Sequence, residues 1–135
     1  MEQPDLSAAG SVLLVDDDHR VRSALVRLLT TVHPTVRIKS AGLRTAAEVA
    51  AAMPRPGVAL IDIPISAPET GLALIRTLAA TTGTPVVAIS AFDGYRSAAL
   101  AAGAAVFLNK GSTAESVLAA LRAAVQQTMR VPTGT

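Results

Sequence analysis

Four short, mostly apolar runs that lead into polar residues constrain the fold of this chain more than any other feature. The runs are Val12–Val15 before Asp16–Asp18, Val58–Ile61 before Asp62, Val86–Ile89 before Ser90, and Val106–Asn109 before Lys110. Runs of this length with β-branched residues, separated by alanine-rich helical stretches, are typical of buried parallel strands. Because sites in open α/β sheets form just beyond the carboxyl ends of the strands, the polar residues are expected to meet in one crevice.

The periodicity of the apolar residues predicts one α/β domain in which five strands alternate with five helices. The strands are expected at about residues 12–15, 36–40, 58–62, 86–90 and 106–110, and the helices at about 20–32, 43–52, 72–81, 96–102 and 112–128. The second strand alternates apolar with basic residues, which favours an edge position. Residues 1–10 are predicted to be a flexible leader, 11–128 the folded domain, and 129–135 a tail or the start of a linker.

Local signals predict how several helices begin and end. Asp18 directly precedes the first helix and is expected to cap it instead of joining the acidic site. Ser112 and Glu115 have the spacing of a capping box at the start of the last helix. His19 and His33 lie beside a loop and a helix end, so both are expected to be ordinary surface residues.

Composition bounds the class of protein. At 135 residues with half of them hydrophobic but only 2% aromatic, the chain can build one core from Ala, Val, Leu and Ile. It has no cysteine, which excludes disulfides and thiolate metal sites. The net charge is only +2 and the arginines are scattered, so direct nucleic-acid binding is not expected. No apolar run is long enough to span a membrane, no secretory signal is present, and the expected location is the cytoplasm.

The polar residues stand in motifs that resemble a known family. The motifs are Val-Leu-Leu-Val-Asp-Asp-Asp at 12–18, Ala-Leu-Ile-Asp-Ile at 59–63, Ile-Ser-Ala at 89–91, and Ala-Gly-Ala-Ala-Val-Phe-Leu-Asn-Lys at 102–110. Together they resemble the receiver domain of bacterial two-component response regulators over about Ser11–Gln127. The resemblance implies a flavodoxin-like, doubly wound parallel sheet with the strand order 2-1-3-4-5, in which residues 11–128 form the receiver domain.

The resemblance also implies a role for each residue of the crevice. Asp62 would accept a phosphoryl group, Lys110 would pair with its negative charge, and the Ser90 hydroxyl would bond a phosphoryl oxygen. By the same resemblance, a metal ion would be bound by Asp16, Asp17, Asp62 itself and the backbone carbonyl of Pro64.

Chemistry explains why these residue types are needed together. A carboxylate can attack phosphorus to give an acyl phosphate, and phosphoryl transfer mainly requires alignment and charge neutralisation. Three neighbouring carboxylates repel one another unless a cation lies between them. A set of oxygen ligands completed by phosphate indicates Mg²⁺ or Mn²⁺.

Two further pairs of residues take roles from the resemblance. Ser90 and Phe107 correspond to the pair that switches conformation on phosphorylation, with the aromatic ring turning inward. Pro64 and Phe92 correspond to rim positions that influence hydrolysis of the acyl phosphate. Both are apolar here, which predicts a long-lived phosphorylated form because neither side chain can orient an attacking water.

The resemblance implies a signalling partner on each side. A histidine kinase or phosphotransfer protein would donate the phosphoryl group, and a protein target, or a fused DNA-binding domain missing from this chain, would receive the signal. A homodimer is compatible with this scheme. Such a domain modifies itself without turning over a free substrate, so an enzyme in the ordinary sense is not expected.

Two other classes stay open at this point. One is a receiver-like interaction module that works without phosphorylation, which phosphotransfer assays would separate from the switch. The other is a small hydrolase of the haloacid-dehalogenase type, because Asp16-Asp17-Asp18 superficially resembles its nucleophile motif. That class needs a cap or a longer core than 135 residues supply. Taken singly, Ser90 could be a turn residue and Lys110 a solvated lysine.

Overall fold

The chain forms a five-stranded parallel sheet covered by helices on both faces. The computed structural model describes residues 6–129. The strands are β1 Ser11–Val15, β2 Arg37–Ala41, β3 Val58–Asp62, β4 Val86–Ser90 and β5 Val106–Asn109. The helices are α1 His19–Val32, α2 Ala46–Ala52, α3 Pro68–Thr81, α4 Arg96–Ala102 and α5 Ala114–Met129, and two 3-10 helices span Leu6–Ala9 and Asp93–Tyr95.

The strand order confirms the predicted fold class. Neighbouring strands follow the order β2-β1-β3-β4-β5 and every pair is parallel. The second strand lies at an edge, as its alternating pattern predicted. β2 pairs with one edge of β1 and β3 with the other edge. The direction in which strands are added to the sheet therefore reverses at β1. Parallel strands put their carboxyl ends at one edge, and such a reversal opens a crevice there.

The two faces of the sheet have separate apolar cores. Successive strand residues point to opposite faces, so Leu13 and Val15 join one core while Val12 and Leu14 join the other. The first core packs α2, α3 and α4, and the second packs α1 and α5. Almost all of these side chains are Ala, Val, Leu or Ile, as the composition required. None of the helices within residues 6–129 is long and apolar enough to cross a membrane.

The amino-terminal leader is a correction to the sequence prediction. Leu6–Ala9 forms a 3-10 helix, and the Leu6 side chain is fully buried in the core beneath α1 and α5. The physical reason is that Leu6 fills apolar space between these elements. Residues 1–5 and 130–135 lie outside the described residues, and the predicted tail begins one residue inside α5, which ends at Met129.

Several helix ends also differ from their predicted positions. The third helix begins at Pro68, well before the predicted residue 72, because proline is well suited to the first turn. The last helix is capped by Thr113, whose Oγ1 accepts a hydrogen bond from the Ser116 amide at 3.1 Å. The amide of Ser112 instead bonds the Asn109 carbonyl in the preceding turn, so the predicted capping box does not form.

The two histidines have different surroundings. His19 is exposed at the start of α1, as expected, and Asp18 caps that helix through bonds from the Arg20 and Val21 amides. His33 is buried, which corrects the prediction that it is a surface residue. Its Nε2 lies 3.2 Å from Nη2 of Arg122, so the end of α1 and the middle of α5 meet through a polar contact.

Candidate functional site

The structure brings the polar strand-end residues together at one edge of the sheet. Asp16 and Asp62 are each only 5% exposed, and Ser90 is fully buried. The Lys110 ammonium lies between the carboxylates, 2.9 Å from Asp16 Oδ2 and 3.1 Å from Asp62 Oδ1. These residues end or follow β1, β3, β4 and β5, which are neighbours in the sheet. Parallel pairing therefore makes four distant stretches of sequence into one site.

The electrostatics of the site centre on Asp62. Burial raises the pKa of its carboxyl, the nearby charge of Asp16 raises it further, and the Lys110 ammonium offsets part of the increase. Burial lowers the pKa of Lys110, but its bonds and attraction to Asp16 and Asp62 outweigh burial and leave that pKa above its ordinary value. The lysine is therefore a firmly held cation, and Asp62 still lies in a field that favours an added positive charge.

Asp16 is fixed from several sides. Its Oδ1 accepts a hydrogen bond from the Asp18 amide at 2.8 Å, while Oδ2 faces Lys110. Arg22 on α1 donates to the Asp16 backbone carbonyl. Sequence reasoning had given no role to Arg22, and its position one helical turn beyond the acidic residues was the available signal.

Asp17 is held by the loop after β2. It is exposed, and its Oδ1 accepts a hydrogen bond from the Leu43 amide at 2.7 Å. Gly42 allows this approach, since a Cβ there would lie 3.0 Å from the same oxygen. As placed, Asp17 ties the loop after β2 to the site, and no three acidic or histidine side chains within residues 6–129 form a ready metal centre.

The donor chemistry nevertheless fits a hard divalent cation. Asp16 and Asp62 are buried carboxylates, and Asp17 adds a third negative charge nearby. Lys110 is the one positive charge that opposes them at Asp62. Oxygen ligands with excess negative charge favour Mg²⁺ over softer metals. A cation would be held by Asp16 and Asp62, with Asp17 joining them after rotation of its side chain.

The Ser90 hydroxyl is engaged by the backbone on either side of the site. Its Oγ donates to the Ile63 carbonyl at 2.8 Å and accepts from the Phe92 amide at 3.2 Å. The hydroxyl is thus part of the connection between β4 and the loop after β3. To bond a phosphoryl group on Asp62, it would have to leave the Ile63 carbonyl.

Phe107 points into the core instead of into solvent. Its side chain is 4% exposed and packs in the same core as α3 and α4. The Arg96 guanidinium carbon lies 5.0 Å from the ring centroid, a distance at which a cation and an aromatic face attract each other. The first residue of α4 therefore covers the ring that was predicted to switch.

The two predicted rim residues are placed differently. A cavity of about 310 Å³ beside the phosphoacceptor candidate is lined by Asp62, Ile63, Pro64, Ile65, Ser66, Ala91 and Lys110. Phe92 is half exposed and directly precedes the adjacent 3-10 helix, where a Cβ on Gly94 would be 2.3 Å from its ring atoms. Pro64 therefore borders the cavity, whereas the Phe92 ring packs on Gly94, which leaves the space for it, and the rim role of Phe92 stays a prediction.

Three residues that shape the crevice were not found from the sequence. Gly71 on α3 lies so close to the end of β3 that a Cβ there would be 2.5 Å from the Asp62 carbonyl oxygen. Tyr95 donates from its hydroxyl to the Ile65 carbonyl at 2.7 Å. Asn109 donates to Asp93 at 2.9 Å and joins two of the site loops. A glycine inside a helix was the only prior signal for Gly71, and the others depend on tertiary neighbours.

Comparison with known proteins agrees with the fold. The family described as the response regulator receiver domain matches residues 12–122. The chain therefore belongs to the receiver domain family of response regulators. None of the curated proteins compared with the chain is similar enough to count as a match.

Solved structures of receiver domains share the fold at low sequence identity. A CheY-like receiver domain protein from Methanospirillum hungatei JF-1 has a TM-score of 0.75 at 17% identity, covering 88% of this chain and 95% of that one. The BeF3-activated N-terminal receiver domain of Klebsiella pneumoniae RstA has a TM-score of 0.73 at 24% identity, covering 87% and 99%. A Burkholderia pseudomallei response regulator with a phosphorylated aspartic acid, calcium ion and citrate has a TM-score of 0.71 at 21% identity, covering 88% and 70%.

Proposed function

We propose that this receiver domain is a phosphorylation-dependent switch of a two-component system, with Asp62 as its phosphoacceptor. The observation that supports this most directly is the buried Asp62 carboxylate, held beside Asp16 and against Lys110 at the carboxyl edge of the sheet. An isolated carboxylate would be costly to bury without such partners. The cavity beside it supplies room for an incoming phosphoryl group.

In the proposed reaction, an Asp62 carboxylate oxygen attacks the phosphorus of a phosphohistidine on a histidine kinase or phosphotransfer protein. The new bond is the O–P bond of the acyl phosphate, and the P–N bond to the imidazole breaks, leaving its electron pair on the ring nitrogen. Lys110 stays close to the attacking carboxylate and offsets charge on the transferred group. The domain modifies itself and turns over no free substrate.

A divalent cation completes this proposal. Mg²⁺ or Mn²⁺, when bound, supplies charge neutralisation for the phosphoryl oxygens. Asp16, Asp62 and the Pro64 backbone carbonyl are the proposed ligands, joined by Asp17 after its carboxylate leaves the Leu43 amide. The residues of this chain then align the group and shield it, because Asp16 and Asp62 are largely removed from solvent.

The proposed switch begins at Ser90. A phosphoryl group on Asp62 adds negative charge and acceptor oxygens, which attract the Ser90 hydroxyl away from the Ile63 carbonyl. The contact between the Arg96 guanidinium and the inward Phe107 ring joins α4 to β5, and it is a second contact that could change when Asp62 is phosphorylated. The altered face would act on a protein target or on a DNA-binding domain of a longer regulator. The cytoplasmic location stays a prediction.

Mass spectrometry of the intact protein tests the assignment. With Mg²⁺ and a small-molecule phosphodonor, the wild type should gain one phosphoryl group, and both Asp62→Ala and addition of a chelator should abolish the gain. Glu115→Gln, which removes an exposed carboxyl on α5, is the control and should label normally. Equal labelling of Asp62→Ala would reject Asp62 as the acceptor, and no labelling of the wild type would favour the phosphorylation-independent interaction module.

A further inference from the structure

The loop between β3 and α3 is held at two backbone carbonyls that flank Pro64. The Ser90 hydroxyl donates to the Ile63 carbonyl at 2.8 Å, and the Tyr95 hydroxyl donates to the Ile65 carbonyl at 2.7 Å. One hydroxyl comes from the last residue of β4 and the other from the segment that joins β4 to α4. Among the described residues, the Tyr95 bond is the one that ties residues 64–66 to the rest of the fold.

Tyr95 is well placed to act as an anchor. It is the last residue of the 3-10 helix Asp93–Tyr95 and directly precedes α4. Its ring meets the Phe92 ring edge-on, with the centroids 4.9 Å apart. Gly94 leaves the space in which Phe92 lies, because a Cβ there would overlap the ring. Phe92 and Gly94 therefore set the direction of the Tyr95 ring and of its hydroxyl.

The two hydrogen bonds differ in what phosphorylation would do to them. Ser90 is fully buried and is the hydroxyl expected to turn toward a phosphoryl group, which would release Ile63. The bond from Tyr95 to the Ile65 carbonyl is exposed and uses neither Ser90 nor the Asp62 carboxylate. After Ser90 has moved, the Tyr95 bond would still hold the loop beside Asp62.

We propose that Tyr95 is a positioning residue: its hydroxyl anchors the loop that carries Pro64 and links that loop directly to the start of α4. The anchor itself follows from the contacts of the unmodified protein, whereas its effect on phosphorylation rests on the proposed function. A fixed loop presents the Pro64 carbonyl to a cation without an ordering step, which lowers the concentration of cation that is needed.

The first test needs no phosphorylation. Tyr95→Phe removes the hydroxyl but keeps the ring against Phe92, so the fold should persist. Hydrogen exchange of residues 63–67 in the metal-free protein should become about fivefold faster, the factor expected for loss of one hydrogen bond. Gly94→Ala should have the same effect by displacing the Phe92 ring. Thr31→Val, which removes the exposed 2.8 Å bond from Thr31 to the Arg27 carbonyl on α1, is the control and should leave this loop unchanged.

The second test separates positioning from a merely structural role. With a small phosphodonor, Tyr95→Phe should raise the Mg²⁺ concentration for half-maximal phosphorylation about fivefold, while the rate at saturating Mg²⁺ stays near that of the wild type. Tyr95 is the only tyrosine and the chain has no tryptophan, so the tyrosine emission of the wild type should also change on Mg²⁺ titration.

Each outcome of these tests decides one part of the proposal. Unchanged exchange of residues 63–67 in Tyr95→Phe would overturn the anchor. Faster exchange with an unchanged Mg²⁺ requirement would overturn the positioning role. If the wild type is not phosphorylated at all, the proposed function fails, and the exchange result together with the tyrosine emission still decides whether Tyr95 anchors a cation-responsive loop.

Discussion

Asp62 carries its charge where burial and the neighbouring Asp16 disfavour ionisation, and Lys110 offsets only part of that penalty. The balance is typical of functional sites, where groups are held in environments that a purely structural role would avoid. Lys110 in turn depends on both carboxylates for its position. The negative charge of Asp16 and Asp62 is therefore only partly neutralised by Lys110, and a divalent cation could neutralise the rest.

Asp62→Asn is expected to stabilise the metal-free fold at neutral pH. The pKa of Asp62 is raised in the folded state, so stability present below the ordinary carboxyl pKa is lost as the pH rises through the raised value. An amide has no charge to bury and avoids that loss. Urea unfolding with a chelator should show a higher free energy of unfolding for the variant at pH 7, and the difference should shrink at acid pH.

The control for this comparison is Glu115→Gln, which neutralises an exposed carboxyl on α5 and should change stability little. Equal or lower stability of Asp62→Asn at pH 7 would show that the lysine bond outweighs the burial of Asp62.

Pro64→Asn is expected to shorten the lifetime of the acyl phosphate about tenfold, which corresponds to about 1.4 kcal/mol of barrier. Pro64 borders the cavity beside Asp62, and an amide at this position can orient an attacking water where a proline ring cannot. The loss of the phosphoryl group can be followed by mass spectrometry after the donor is removed. Phe92→Leu should leave the decay almost unchanged, because the ring lies on Gly94; a large effect would support the predicted rim role of Phe92.

At the scale of elements, the site depends on how closely α3 approaches β3. Gly71 lies in the first turns of α3, where its missing side chain lets the helix rest on the Asp62 and Ile63 backbone. The helix thereby begins immediately beyond the loop that carries Pro64. Position and length of this loop are thus set by helix packing as much as by the loop sequence.

Gly71→Ala is expected to destabilise the protein by about 1–3 kcal/mol, the usual effect of forcing an extra methyl group into a packed contact. The effect is diagnostic because alanine is the better helix former by about 1 kcal/mol and would otherwise stabilise α3. Thermal or urea unfolding measures it. Ala73→Gly, at an exposed position on the same helix, isolates the propensity term, and a more stable Gly71→Ala would refute the close approach.

At the scale of the whole molecule, the strand-end residues were predictable and the contacts among loops were not. Short apolar runs fix where strands end, and parallel pairing then brings Asp16, Asp62 and Ser90 to one edge. The direction of the Phe92 ring depends on Gly94, and the Tyr95 bond depends on a carbonyl 30 residues away. Leu6 gave no signal either, because its burial requires α1 and α5 to be in place.

Phosphorylation of Asp62 is expected to change more than the site itself. A two-state shift of a few kcal/mol should alter hydrogen exchange at residues 90–99 and 106–110, which include Ser90, the start of α4 and the inward Phe107. Beryllofluoride with Mg²⁺, as a stable phosphoryl mimic, makes the measurement practical. Exchange of Gly57 and Val58, at the opposite end of β3, serves as the internal control. A change confined to residues that touch the mimic would refute the switch.

The burial of Leu6 determines where this protein can be truncated without damage to its core. The family match begins at residue 12 and ends at residue 122, and these limits look like natural cutting points. A fragment trimmed to them would lack Leu6 at one end and Ala124 and Val125 at the other, all of which are buried in the same core. Removing large core side chains costs about 2–5 kcal/mol each. Homology alone would therefore yield a fragment that contains every residue of the candidate site but has an incomplete interior.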